Sequence, residues 1–127
     1  MNRFLLISIG AVLGANARYW VGLWAAQRFG TAFPYGTALV NISGSFVLGF
    51  LVAWGSVRSG LSAELRLLLA VGFLGAYTTF SSFAAESLLE VQNGKLALAL
   101  LNFFVNNGMG LVAAWAGMAL AKALAAP

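Results

Sequence analysis

Residues 72–83 read Gly-Phe-Leu-Gly-Ala-Tyr-Thr-Thr-Phe-Ser-Ser-Phe, and they decide which fold the chain can form. The stretch starts as a buried apolar helix would. It then sets Thr78, Thr79, Ser81 and Ser82 around Phe80 and Phe83, where a lipid-facing helix would carry leucine. In a bilayer, backbone leaves the helix only where protein buries it or a watery cavity meets it, and discontinuous helices near the midplane commonly bind ions in transport proteins. The surrounding span, 63–91, would reach on the order of 43 Å as a straight helix, against a bilayer core of about 30 Å, so a tilt or a break is required. Gly72 and Gly75 are poor helix formers, and Thr78 and Thr79 compete for backbone hydrogen bonds. A break there would free carbonyl oxygens, hard ligands suited to an alkali or alkaline-earth cation. The alternative is an unbroken helix whose hydroxyls bond back to the preceding turn.

Outward from this stretch, the 127 residues are 61% apolar and 8% charged, which cannot build a soluble surface. At roughly 20 apolar residues per crossing the chain divides into four spans, 4–25, 35–56, 65–90 and 96–121, with little outside the membrane, and reads as one domain, 1–127. The first span is too long and too rich in glycine for a signal peptide, and is expected to be retained. There is no cysteine, histidine or aspartate, and the three carboxylates are glutamates. Disulfides, thiolate and imidazole metal sites and triad chemistry are therefore excluded, and an enzyme is not expected. The basic excess reflects flanking and intramembrane arginines rather than a nucleic-acid surface.

With both termini on one side, that side carries Arg3, Arg58, Arg66 and Lys122, and the other carries Arg28 and Lys95. Lys/Arg asymmetry in short loops sets orientation. The weak bias here leaves open insertion in both directions. Four short helices are few for a pore, so a homodimer is the natural hypothesis, and an antiparallel pair would place its dyad in the membrane plane, as inverted repeats do.

Within the spans, polar and small residues recur at helical spacing. Gly10, Gly14, Arg18 and Gly22 form one stripe, along which small residues admit a neighbouring backbone. Arg18 must face protein or water, either snorkelling to the interface or attracting anions. Residues 27–33 read as a loop, with Pro34 in the first turn of the next helix. Asn41, Ser45 and Gly49 make a polar seam, serving as interhelical glue or as a path. Residues 55–62 read as a second loop, closed by Ser62 as an N-cap. Phe80 and Phe83 would share a face, as core or as ring edges turned toward an anion, and Glu86 continues that face one turn on. Gln92–Lys95 contains an Asn-Gly turn signal. Asn102, Asn106 and Gly110 form another stripe beside Asn107, again glue or lining.

These residues carry a resemblance. Gly14 to Arg18 as G-x-x-x-R, Gly36, Thr37, Val40 and Asn41 as G-T-x-x-V-N, and residues 72–83 as G-F-L-G-x-x-T-T-F-S-x-F are together similar to the Fluc/CrcB fluoride channels, in order and spacing, over essentially the whole chain. The resemblance implies an all-α membrane protein: four transmembrane helices per subunit, the third broken, in an antiparallel dual-topology homodimer with two fluoride pathways. It implies a structural, untransported sodium ion at the dyad, held by the backbone carbonyls of Gly75 and Thr78 from both subunits. The fluoride pathway would comprise Asn41, Phe80, Phe83, Ser81, Ser82 and Asn106, with Arg18 as the vestibule charge and Glu86 as the acid at the pore end. The implied function is passive, selective F⁻ export from the cytoplasm across a bacterial inner membrane, which reduces fluoride toxicity. Two positions depart from the pattern. Asn102 and Asn106 stand where some members have Tyr and Ser, and Ala76 stands where Gly-Gly is common.

Two rival readings remain. A small dual-topology multidrug or cation exchanger would need a membrane-embedded carboxylate, for which Glu86 is the candidate. A structural subunit without transport would use every polar stripe as glue.

Overall fold

A computed structural model describes residues 2–57 and 60–126; Arg58, counted among the flanking charges, lies outside them. All regular structure among the described residues is helical. Helix α1 spans Arg3–Phe29 and begins at Asn2, whose side chain accepts a hydrogen bond from the Phe4 N–H at 3.0 Å. It ends at Gly30, whose φ of 79° glycine adopts without strain. Gln27 and Arg28, expected in the loop, therefore belong to α1, because no breaker precedes Gly30. Edge-to-face packing of Trp24 on Phe29 and of Phe33 on Tyr35 pins the connection. Helix α2, Tyr35–Val57, starts after Pro34 as expected and likewise runs into the loop predicted at 55–62.

The third span is broken, and the unbroken alternative is overturned. Ser62 caps α3, residues 63–77, by accepting from the Leu65 N–H at 3.2 Å. Most of α3, Arg66–Leu74, is wound as a π-helix. Helix α4, Phe80–Gln92, resumes after two extended residues, Thr78 (φ −82°, ψ 158°) and Thr79 (φ −151°, ψ 116°). The break falls on the β-branched hydroxyl residues, whose side chains offer the backbone alternative partners. Gly75 remains helical at φ −61°, ψ −32°.

After a turn at Asn93-Gly94, where Lys95 lies 3.7 Å from Glu90, helix α5 covers Leu96–Ala125, with a second π-helical stretch at Val105–Met109. The C-terminal part of α5 packs along α2, and α3 packs along α1. Small residues make both pairings possible. A methyl group at Gly14 would overlap the Phe73 carbonyl oxygen of α3.

Among the described residues four helical spans are long and apolar enough to cross a membrane: α1, α2, α3 with α4 (Ala63–Gln92), and α5. The outward faces suit lipid or a further protein copy: Leu111 is 74% exposed and Trp115 70%. The inside combines apolar side chains, Leu6, Val40, Leu74 and Phe83 among them, with the buried polar side chains of Thr79, Asn102 and Asn106. A bilayer permits such polar groups at depth only where protein covers them.

Candidate functional site

The break is held by a side chain from another helix. Asn41, on α2, accepts a hydrogen bond from the Thr79 N–H at 2.8 Å and donates from Nδ2 to the Thr79 carbonyl at 3.0 Å. The Thr79 N–H therefore turns to Asn41 rather than back toward Gly75. Thr79 also caps α4: its Oγ1 accepts from the Ser82 N–H at 3.1 Å and donates to Ser82 Oγ at 3.0 Å. In low dielectric each of these backbone groups would be costly if unpaired.

From Asn41 the bonding continues across helices. Asn41 Nδ2 also donates to Asn106 Oδ1 at 2.7 Å, and Asn106 Nδ2 donates to the Asn102 carbonyl at 3.0 Å and to Asn102 Oδ1 at 2.7 Å. Asn102 Nδ2 then donates to Ser87 Oγ at 3.0 Å, and Ser87 donates onward to the Phe83 carbonyl at 2.8 Å. The relay runs from the break through α2 and α5 to α4. Its asparagines thus serve as interhelical glue in a strict sense, with their amide hydrogens committed to protein acceptors.

Three cavities that share lining residues adjoin this relay. The first, about 230 Å³, is lined by Asn41, Asn106, Phe80, Phe83 and Thr79 among others. The second, about 360 Å³, has Arg18, Thr79, Ser82 and Thr37 in its wall. A third, about 230 Å³, contains Thr37 and Glu86. Thr79 belongs to the first two, and Thr37 to the last two. Arg18 lines the middle cavity, and among the described residues no ion pair joins it to a carboxylate. Glu86 accepts from Thr37 Oγ1 at 2.6 Å, while its Oε2 is buried without a partner.

The structure thus brings together Arg18, Asn41, Phe80, Phe83, Ser82, Asn106 and Glu86 in the walls of three adjoining cavities. Phe80 and Phe83 do not share an environment. Phe83 is 5% exposed and Phe80 75%, with the rings edge to face at 5.3 Å. Ser81 is exposed and lines none of the three cavities, its Oγ 3.4 Å from Thr79 Oγ1. Asn107, beside the stripe, donates back to the Phe103 carbonyl at 2.8 Å. Thr37, Thr79 and Ser87 were not singled out as site residues from sequence. Ser87 could have been found as a hydroxyl one turn beyond Phe83 in an apolar helix.

Fold and site together define a multi-pass helical membrane protein with adjoining cavities, one of them lined by Arg18, beside a polar relay. Residues 5–118 match the family described as CrcB-like protein, Camphor Resistance (CrcB), and the chain belongs to that family. It is 42% identical over 124 residues to the protein named Fluoride-specific ion channel FluC of Rhizobium meliloti (strain 1021), covering 98% of this chain and 99% of the relative. It is 46% identical over 120 residues to the protein of that name from Shewanella halifaxensis (strain HAW-EB4), covering 94% and 96%. For the Chloroflexus aurantiacus (strain ATCC 29366 / DSM 635 / J-10-fl) protein, again of that name, the figures are 45% over 123 residues, 96% and 97%. The family is one of channels rather than enzymes, and nothing here supports the exchanger reading.

Proposed function

We propose that this chain is a fluoride-selective channel through which F⁻ leaves the cytoplasm passively, reducing fluoride toxicity. The observation that carries the reading is the set of adjoining cavities, in which the middle one combines the fixed charge of Arg18 with the Ser82 hydroxyl. Ser82 Oγ accepts from Thr79, so its own hydrogen is free to turn into the middle cavity. A small, tightly hydrated anion crosses only where other donors replace its water. The Ser82 hydroxyl and the positive ring edges of Phe80 and Phe83 supply that replacement within one copy, the exposed Ser81 hydroxyl would join them only where a second copy covers it, and Arg18 supplies an attraction strengthened by low dielectric.

The working unit in this reading is an antiparallel homodimer in a bacterial inner membrane. Supporting it, Phe80, Ser81, Ser43 and Gly75 are all exposed on a single copy although they belong to the middle spans. Polar groups and break-flanking backbone at membrane depth need protein cover. A second copy would also close the first cavity, which is open at Phe80.

The structural sodium expected from sequence is compatible with this geometry. With the Thr79 N–H bonded to Asn41 and Thr78 extended, the Gly75 and Thr78 carbonyls are available as hard oxygen donors. Two per copy make four about a dyad. A cation held there would add positive potential at the middle of the membrane, and would tie the two breaks together.

Fluoride and chloride gradients imposed across a planar bilayer containing the purified protein test selectivity: the reversal potential should follow the fluoride gradient alone. Because the chain has no cysteine, a single Asn93→Cys label in the exposed turn tests topology. In an antiparallel pair about half the copies react from each side; labelling from one side only would contradict it.

A further inference from the structure

We propose that Asn102 is a positioning residue of this pathway: through Asn106 it steadies the relay that braces the Thr79 peptide, and it keeps the Asn106 amide hydrogens out of the cavity lined by Phe80 and Phe83. The inference rests on the fluoride reading and goes beyond it. Its basis is that the direction of every amide in the relay is fixed by groups that cannot reverse. Thr79 presents one N–H and one C=O to Asn41, so Asn41 fits only one way round, with Nδ2 toward Asn106. Asn106 must then turn Oδ1 to Asn41, and its Nδ2 reaches the Asn102 backbone carbonyl, which can only accept.

At the far end, Ser87 gives its hydrogen to the Phe83 carbonyl and can only accept from Asn102 Nδ2. Asn102 Oδ1 is thereby left facing Asn106 Nδ2 at 2.7 Å. Asn102 is 0% exposed and Asn106 8%. Asn41 and Asn106, both in the wall of the site nearest the phenylalanines, therefore turn no amide hydrogen into it, while Asn107 in the same wall gives one of its two to the Phe103 carbonyl. Conduction requires binding weak enough for the ion to leave, and an amide hydrogen released into that cavity would hold an anion longer.

The experiment compares fluoride currents in planar bilayers as fluoride concentration is raised, for wild type, Asn102→Leu, Asn102→Asp and Ser87→Ala, each first checked for a monodisperse folded state. Leucine removes the side-chain acceptor and frees an Asn106 hydrogen. Half-saturation should fall about tenfold, as one hydrogen bond to a charged group allows, with a lower maximal current. A buried aspartic acid, neutral through desolvation, offers its carbonyl oxygen to Asn106 and its hydroxyl to Ser87, and should restore wild-type half-saturation. Ser87→Ala loosens only the far anchor, and should shift half-saturation in the same direction as leucine by about threefold.

A folded Asn102→Leu with wild-type half-saturation overturns the proposal, as does an Asn102→Asp shift equal to that of leucine. If the leucine variant does not fold, an unshifted Ser87→Ala overturns it. Absence of fluoride current in wild type would instead indict the fluoride reading.

Discussion

The Asn41 side chain and the Thr79 peptide grip each other through two hydrogen bonds, the Thr79 N–H to Oδ1 at 2.8 Å and Nδ2 to the Thr79 carbonyl at 3.0 Å. A helix interrupted inside a membrane leaves backbone groups without their usual partners. Here an amide from α2 satisfies two of them, so the break is a specified conformation.

Replacing Asn41 by Leu should therefore weaken the fold as well as the pathway. It leaves both Thr79 backbone groups buried and unpaired, a loss of roughly 2 kcal/mol or more. Thermal unfolding of the detergent-purified protein should show a marked decrease in midpoint, together with loss of fluoride flux. An unchanged midpoint would show that the break does not depend on Asn41.

Gly14 and Gly22, members of one stripe in the sequence, should respond in opposite ways to alanine. At Gly14 the new methyl group meets the Phe73 carbonyl, whereas at Gly22 it meets open space. Gly14→Ala is expected to destabilise by about 1–3 kcal/mol through overpacking. Gly22→Ala should be neutral or stabilise by up to about 1 kcal/mol through helix propensity. The same unfolding measurement separates them.

The two phenylalanines should divide function from stability. Phe80 is 75% exposed on one copy, so Phe80→Ile should leave the subunit fold unchanged and suppress fluoride flux. Phe83 is 5% exposed, and Phe83→Ala should cost about 3–5 kcal/mol in addition to flux. Loss of folding in Phe80→Ile would make that ring a core element instead.

Arg18 and Ser82 share the middle cavity, and their removal should leave different signatures. Arg18→Gln should lower flux most at low ionic strength, where a fixed charge acts at longest range. Ser82→Ala should lower flux by about tenfold, the value of one hydrogen bond to an ion, at every ionic strength. Fluoride flux measured across a salt series distinguishes them.

Much of this was legible in the residues. Four apolar runs gave the spans, because that signal is local; the length of the third span required a tilt or a break, and only the extended backbone at Thr78 and Thr79 decides for the break. Helix ends were less legible: α1 continues through Gln27 and Arg28, since polar residues near an interface do not stop a helix until Gly30 supplies a turn. The choice between lining and glue for Asn41 and Asn106 could not be made from spacing, because it depends on which way each amide faces. That direction is set by Thr79 and Ser87, distant in sequence and close in space.

The most direct test of selective fluoride conduction is anion release from liposomes containing the purified protein, read with ion-selective electrodes, with valinomycin and potassium carrying the balancing charge. The account predicts rapid fluoride release that requires valinomycin, and no chloride release from chloride-loaded vesicles. Equal release of the two anions, or none from folded protein, would contradict it.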